Sequence, residues 1–187
     1  MCGPERLEWA GCPADVLQLA ALREGEEALA EIAARRGCSL PAPGRLNVAA
    51  GGMALCVRPG RWLLLCAPAA AGELAAGWSG ECDGCAAVVD LSSSLSVLQL
   101  AGAATREMLA RGCRLDLARQ AFPEGSAAAT VMAQVSVILA ALPSGMLLLT
   151  PATTARHFRE WLAHTGKPFG LTARSDVTVA SLHGDSR

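Results

Sequence analysis

The sequence predicts an α+β protein made of two pseudo-duplicated β-α-β-β-α units with antiparallel sheets, and three observations carry that expectation. Val16-Leu17-Gln18-Leu19-Ala20 recurs letter for letter as Val97-Leu98-Gln99-Leu100-Ala101, an offset of 81. Gly37-Cys38-Ser39-Leu40 is answered by Gly112-Cys113-Arg114-Leu115 at 75, Leu63-Leu64-Leu65 by Leu147-Leu148-Leu149 at 84, and Trp78 by Trp161 at 83. Offsets that drift by a few residues are what loop insertions leave in a tandem repeat; the alternative is chance similarity in an Ala- and Leu-rich chain. Third, 187 residues with 52% hydrophobic and 18% charged side chains can bury one sizeable core. Each unit would expose one face of its sheet until the other covers it, so the halves should fold as one domain.

In chain order, Val16 to Leu22 reads as a strand, and Gly25 to Arg36 as a helix with Leu29, Ile32 and Ala33 on its inner face and Gly37 as C-cap. A turn at Pro41-Ala42-Pro43-Gly44 leads to a hairpin, Met53 to Arg58 and Trp62 to Cys66, around Pro59-Gly60, and a short helix over Glu73 to Trp78. In the second half, Ala86 to Ala101 reads as one strand with a break at Asp90-Leu91-Ser92-Ser93-Ser94. A helix over Ala103 to Arg111 ends at Gly112. Thr130 to Leu142 and Met146 to Thr150 form a hairpin around Pro143-Ser144-Gly145, and a helix over Thr154 to His164 places Phe158, Trp161 and Leu162 on one face. The domain therefore spans 14–170, with halves of about 14–80 and 86–170. Residues 1–13 read as a mobile arm and 171–187 as a polar tail whose Val177-Thr178-Val179-Ala180 adds an edge strand or hangs free.

Sixteen Lys+Arg against seventeen Asp+Glu exclude a polybasic nucleic-acid binder. With four Trp, three Phe and no Tyr, stacking platforms for bases, pterins or flavins are nearly lacking. A mean hydropathy of +0.33 is high, yet the apolar runs Trp62 to Gly72 and Val131 to Leu142 fall short of the ~18–20 residues of a spanning helix. The first residues carry no apolar h-region of a secretory signal, which points to the cytoplasm. The apolar surplus is expected partly in the core and partly at a large partner interface.

Candidate chemistry is sparse. Eight cysteines lie mostly in apolar runs and read as buried thiols. Cys82-Asp83-Gly84-Cys85 is half of a zinc or redox motif, or an incidental pair of thiols. His157 and His164 share a helix face but sit about 10.5 Å apart along its axis, and His183 lies farther on. Gly51-Gly52 lacks phosphate-loop spacing, and Lys167 is the only lysine. Asp90, ending an apolar run before Leu91-Ser92, either holds a substrate amine or caps a turn. Arg106, Arg111 and Arg114 either grip an anion or, with Glu107 and Asp116 among them, form a solvated ion-paired face. No catalytic, cofactor-binding or metal-binding residue is assigned.

Val88-Val89-Asp90-Leu91-Ser92, the run Val97 to Ala104, Met108 to Leu117 with its Gly112-Cys113-Arg114-Leu115-Asp116-Leu117, and Ala121-Phe122-Pro123-Glu124-Gly125 resemble the gamma subunit of heterotetrameric sarcosine oxidase. So do Arg61-Trp62-Leu63-Leu64-Leu65, Trp161-Leu162 and Phe169-Gly170. The resemblance covers about 14–170. It implies a fold akin to the folate-binding domain of the glycine-cleavage T-protein, and a non-catalytic role beside alpha, beta and delta subunits. Such a complex demethylates sarcosine oxidatively, passes the methylene group to tetrahydrofolate and makes hydrogen peroxide. FAD, FMN, NAD, zinc and tetrahydrofolate are implied on those partner subunits and none on this chain. Asp90 aligns with the strand that the folate-binding superfamily shares. The cysteines and the tail depart from the pattern, leaving a stand-alone folate-binding module, or a subunit of a related N-methyl amine oxidase or dehydrogenase, as alternatives.

Overall fold

The computed structural model describes residues 6–49, 52–68 and 71–183. The repeated Val-Leu-Gln-Leu-Ala segment is the central strand of each half, and it alternates as a strand buried on both faces must. β2 (Asp15–Ala21) turns Leu17 and Leu19 toward helices and Val16 toward the other sheet; β7 (Leu95–Ala101) does the same with Leu98, Leu100 and Val97. After β2 come α1 (Glu26–Arg35), β3 (Arg45–Ala49), β4 (Gly52–Arg58), β5 (Arg61–Cys66) and α2 (Ala71–Glu81). After β7 come α3 (Thr105–Ala110), β8 (Ala127–Met132), β9 (Val135–Leu142), β10 (Gly145–Pro151) and α4 (Ala155–Gly166). The repeating unit is thus β-α-β-β-β-α, one strand longer than the periodicity shows.

The repeat is kept in the pairing register. Val16 faces Leu65, Leu17 faces Leu64 and Gln18 faces Leu63 across β2 and β5; Val97 faces Leu149, Leu98 faces Leu148 and Gln99 faces Leu147 across β7 and β10. The strand orders β3-β4-β5-β2 and β8-β9-β10-β7 correspond one to one. The two closing helices carry the two tryptophans: Trp78 is buried, and Trp161 stacks on Phe158 with centroids 5.6 Å apart. Gly37, at φ 70°, closes α1, with the Cys38 amide donating to Ala33 O. Its counterpart Gly112 is glycine for another reason: a Cβ there would lie 2.4 Å from the Trp161 ring.

The halves are laced together by exchanged strands. The segment Ala86 to Ala101, expected as one interrupted strand, is two strands in different sheets. β6 (Ala86–Asp90) pairs with β2 of the first half, and the chain then crosses at 91–94 to begin β7 in the other sheet. The first residues make the mirror-image exchange. β1 (Glu8–Gly11) precedes β2 but pairs with β7. Both crossings are anchored alike, Leu91 N donating to Val16 O at 2.7 Å and Cys12 N to Val97 O at 3.0 Å. The arm expected at 1–13 is corrected here. Leu7, Ala10 and Cys12 are buried because β7 needs an antiparallel neighbour on its free edge; residues 1–5 lie outside the described part. The tail is corrected too. Thr172–Ala173 forms β11, parallel to β1, and Val177 N donates to Gly11 O. The helical turn Ala180–His183 follows, and Val179 and Leu182 are fully buried.

Four layers result: α1 and α2, their sheet, the second sheet, and α3 with α4. Three apolar clusters fill the spaces between them. The three interior layers take up the share of the apolar surplus expected in the core. Among the described residues the large apolar side chains that stay exposed are Leu22, Val48, Val89 and Val131. No helix among the described residues is long and apolar enough to cross a membrane.

Candidate functional site

The crossing after β6 holds the most interesting polar motif of the sequence, and the structure gives it the capping role. Asp90 Oδ1 accepts from the Ser92 amide at 2.9 Å and from the Ser92 hydroxyl at 2.6 Å, while Ser92 Oγ accepts from the Val16 amide at 3.0 Å. The carboxylate is thereby tied to the turn that carries the chain between sheets. The hydroxyl and the amide of Ser92, in that order, hold the exposed Asp90 below its ordinary pKa. A depressed carboxylate stabilises the fold above its unfolded pKa of about 3.9, and that contribution disappears as the pH falls through the folded value. An NMR titration of the Asp90 carboxyl should have its midpoint below that of an unperturbed Asp, and Ser92→Ala should move it back up. An unshifted midpoint would mean that Asp90 is free.

Beside this turn lies a cleft of about 540 Å³ lined by Asp15, Ser92, Ser96, Arg159 and Asp176. Within this lining Arg159 donates to Ser96 Oγ at 2.9 Å. Cys12 also lines it, but burial first and the nearby Asp176 second push its thiol up to about 11, so it is not a thiolate nucleophile at neutral pH. A second cavity of about 450 Å³ opens between the sheets near Gln18, Leu63, Leu91 and Ile138, with Arg58 and Arg61 at its rim.

The remaining candidates are dispersed. Cys82 is buried and its thiol is raised to about 11, by burial and then by the adjacent Cys85. Among the described residues no three His, Cys, Asp or Glu side chains are placed to share a metal ion. His157, His164 and Lys167 are exposed on α4 and the turn after it. The side chain of His183, and Gly51, lie outside the described part. Of the three arginines, Arg106 and Arg114 line one cleft with Glu107 and Asp116, and Arg111 turns away. Arg106 donates to Leu117 O at 2.6 Å and Phe122 O at 2.8 Å, bracing the loop before β8, and Arg111 lies 4.5 Å from the centre of the Phe169 ring. Sequence reasoning missed the partly buried relay in which Gln99 donates to Ser144 Oγ and accepts from Arg174, and Ser144 donates to Leu182 O. The polar letter inside the apolar repeat was its signal.

Comparison with known proteins agrees with this geometry. The family model described as sarcosine oxidase, gamma subunit family, matches residues 26–166. The sarcosine oxidase subunit gamma of an Arthrobacter species is 37% identical over 119 residues, which is 62% of this chain and 57% of that protein's length. A chain of the heterotetrameric sarcosine oxidase from Corynebacterium sp. U-96 superposes with a TM-score of 0.78 at 27% identity, covering 91% of this chain and 89% of that one. The glycine cleavage system aminomethyltransferase T from Bartonella henselae shares the fold, with a TM-score of 0.66 at 14% identity over 91% of this chain and 48% of its own. The same two-unit architecture, the same family signature over three-quarters of the chain and a relative above 30% identity converge: the chain belongs to the sarcosine oxidase gamma subunit family.

Proposed function

We propose that this chain is the gamma subunit of a heterotetrameric sarcosine oxidase, assembled in the cytoplasm with alpha, beta and delta subunits. The complex demethylates sarcosine to glycine, passes the methylene group to tetrahydrofolate and forms hydrogen peroxide; this chain completes and stabilises the particle without doing chemistry. FAD, FMN, NAD, zinc and tetrahydrofolate belong in this reading to the partner subunits. The observation that carries the proposal is the superposition on the Corynebacterium chain, nearly end to end for both chains. The residues are consistent with it: Asp90 is engaged in its own turn, and the thiols of Cys12 and Cys82 are raised rather than activated. The two halves, about 14–80 and 86–170, act in this proposal as one domain.

The test is absorbance and turnover measured on the chain alone and on co-expressed subunits. The isolated chain should carry no flavin, give no calorimetric heat with tetrahydrofolate and no peroxide from sarcosine; the co-purified complex should do all three. Folate binding by the isolated chain, weakened by Asp90→Ala, would favour a stand-alone folate module instead.

A further inference from the structure

The pseudo-symmetry compares the two ends of the inter-sheet layer position by position, and they differ in one respect. At the end beside Gln99, the C-terminal segment closes the sandwich. Val179 and Leu182 are packed in the same apolar cluster as Cys12, Met53, Leu142 and Leu147, Arg174 bonds to Gln99, and Ser144 donates to Leu182 O at 3.2 Å. The repeat places the equivalents of these residues at the other end. Gln18 answers Gln99, Leu63 answers Leu147 and Ile138 answers Met53 by strand register; Val57, in the bulge of β4, answers Leu142 by its place along the strand, four residues beyond Met53 as Leu142 is four beyond Ile138. Leu91 answers Cys12 through the matching crossover bonds. All five of these equivalents line the 450 Å³ cavity.

Exposure follows the difference. Gln99, Leu142, Cys12 and Met53 are at most 3% exposed, while Gln18, Val57, Leu91 and Ile138 are half-buried. No segment of the described chain covers them. Among the described residues the Gln18 amide has no hydrogen-bond partner, and Arg58 and Arg61, paired across the β4–β5 turn at the rim, have no ion-pair partner. On the tail side, the positions of Arg58 and Arg61 fall to Pro143 and Gly145.

We infer that this cavity receives a short segment of another polypeptide, in the manner in which residues 174–182 close the opposite end. The segment carries two aliphatic side chains one helical turn apart, as Val179 and Leu182 are, and a carboxylate that meets Arg58 and Arg61. Its backbone or a polar side chain satisfies Gln18 as Arg174 satisfies Gln99. The site rests on the repeat alone; identifying the donor as a subunit of the oxidase complex rests on the proposed function.

The probe is a labelled synthetic peptide copying residues 176–182, Asp-Val-Thr-Val-Ala-Ser-Leu, titrated by fluorescence anisotropy into the full chain. Saturable one-to-one binding is expected. Filling the mouth of the cavity with Ala129→Trp, on the exposed edge strand β8, and reversing the rim charge with Arg58→Glu and Arg61→Glu should each weaken it by about tenfold or more. Absence of saturation at about 1 mM peptide would overturn the inference. So would equal binding by the variants, because the peptide would then be displacing the chain's own tail beside Gln99. Self-association of the chain that Ala129→Trp abolishes would assign the cavity to a second copy. Binding that appears only after deletion of residues 1–5 would assign it to the chain's own N-terminus. Either result contradicts a segment from a different polypeptide.

Discussion

Leu182→Ala should lower the stability of the chain by about 2–5 kcal/mol, although the residue lies in a segment whose composition reads as a loose tail. Leu182 is fully buried in the layer between the sheets, and removing a buried leucine side chain costs the lost transfer energy plus the cavity left behind. Its carbonyl accepts from the Ser144 hydroxyl, which in turn accepts from Gln99, so a displaced turn would leave that hydroxyl without its acceptor. For a chain of this size the loss corresponds to a fall in Tm of about 2–4 °C per kcal/mol. Differential scanning calorimetry of the variant checks it. A variant that melts with the parent would show that residues 174–183 hang free in solution.

Leu65→Ala and Leu149→Ala should each cost about 2–5 kcal/mol as well, and each should shift one common transition. These two leucines occupy equivalent positions in the two halves, facing Val16 and Val97 across their strands, and both are buried in the layer that the sheets share. Because β1 and β6 are exchanged between the sheets, neither half keeps its full sheet when the other opens. Damage to one half is therefore felt by both, and denaturant unfolding monitored by tryptophan fluorescence and by far-UV circular dichroism should coincide. Two separated transitions, with Leu65→Ala moving one and Leu149→Ala the other, would mean that the halves are independent domains.

The contrast between these leucines and the segments around them explains how far the sequence could be read. The repeat itself was legible, since the same residues must pack the same register twice, and the helices α1 and α4 announced themselves through periodic apolar positions and, for α1, the glycine after it. The crossings were not legible. Asp90 to Ser94 looks like a bulge because pairing partners are set by the rest of the sheet, and no local signal tells a bent strand from a strand that changes sheets. The turn between β8 and β9 was invisible for a simpler reason: it is made by Ala133 and Gln134, both at positive φ, without the glycine or asparagine that usually marks such a turn. β1 was hidden because its burial depends on the free edge of a strand some ninety residues later.

At the candidate site the balance is similar. Asp90 and its neighbouring serine were recognisable as a turn, and the structure supplies the Val16 amide that makes the turn a link between the two sheets. The inter-sheet cavity could not be seen without knowing where the tail goes, because it is defined by the absence of an equivalent segment at one of two similar ends. The shared Gln18 and Gln99 were the only trace of it in the letters. Arg106 shows the opposite error, a charged residue in a cluster that looks like a surface patch but serves two backbone carbonyls.

The most direct test of the account is the native mass of the assembly formed when this chain is co-expressed with the alpha, beta and delta subunits of its own source. The account predicts one particle containing one copy of each of the four chains, and loss of that particle, or a marked fall in its thermal stability, when this chain is left out. A particle of unchanged mass and stability without it, with this chain eluting alone, would contradict the account.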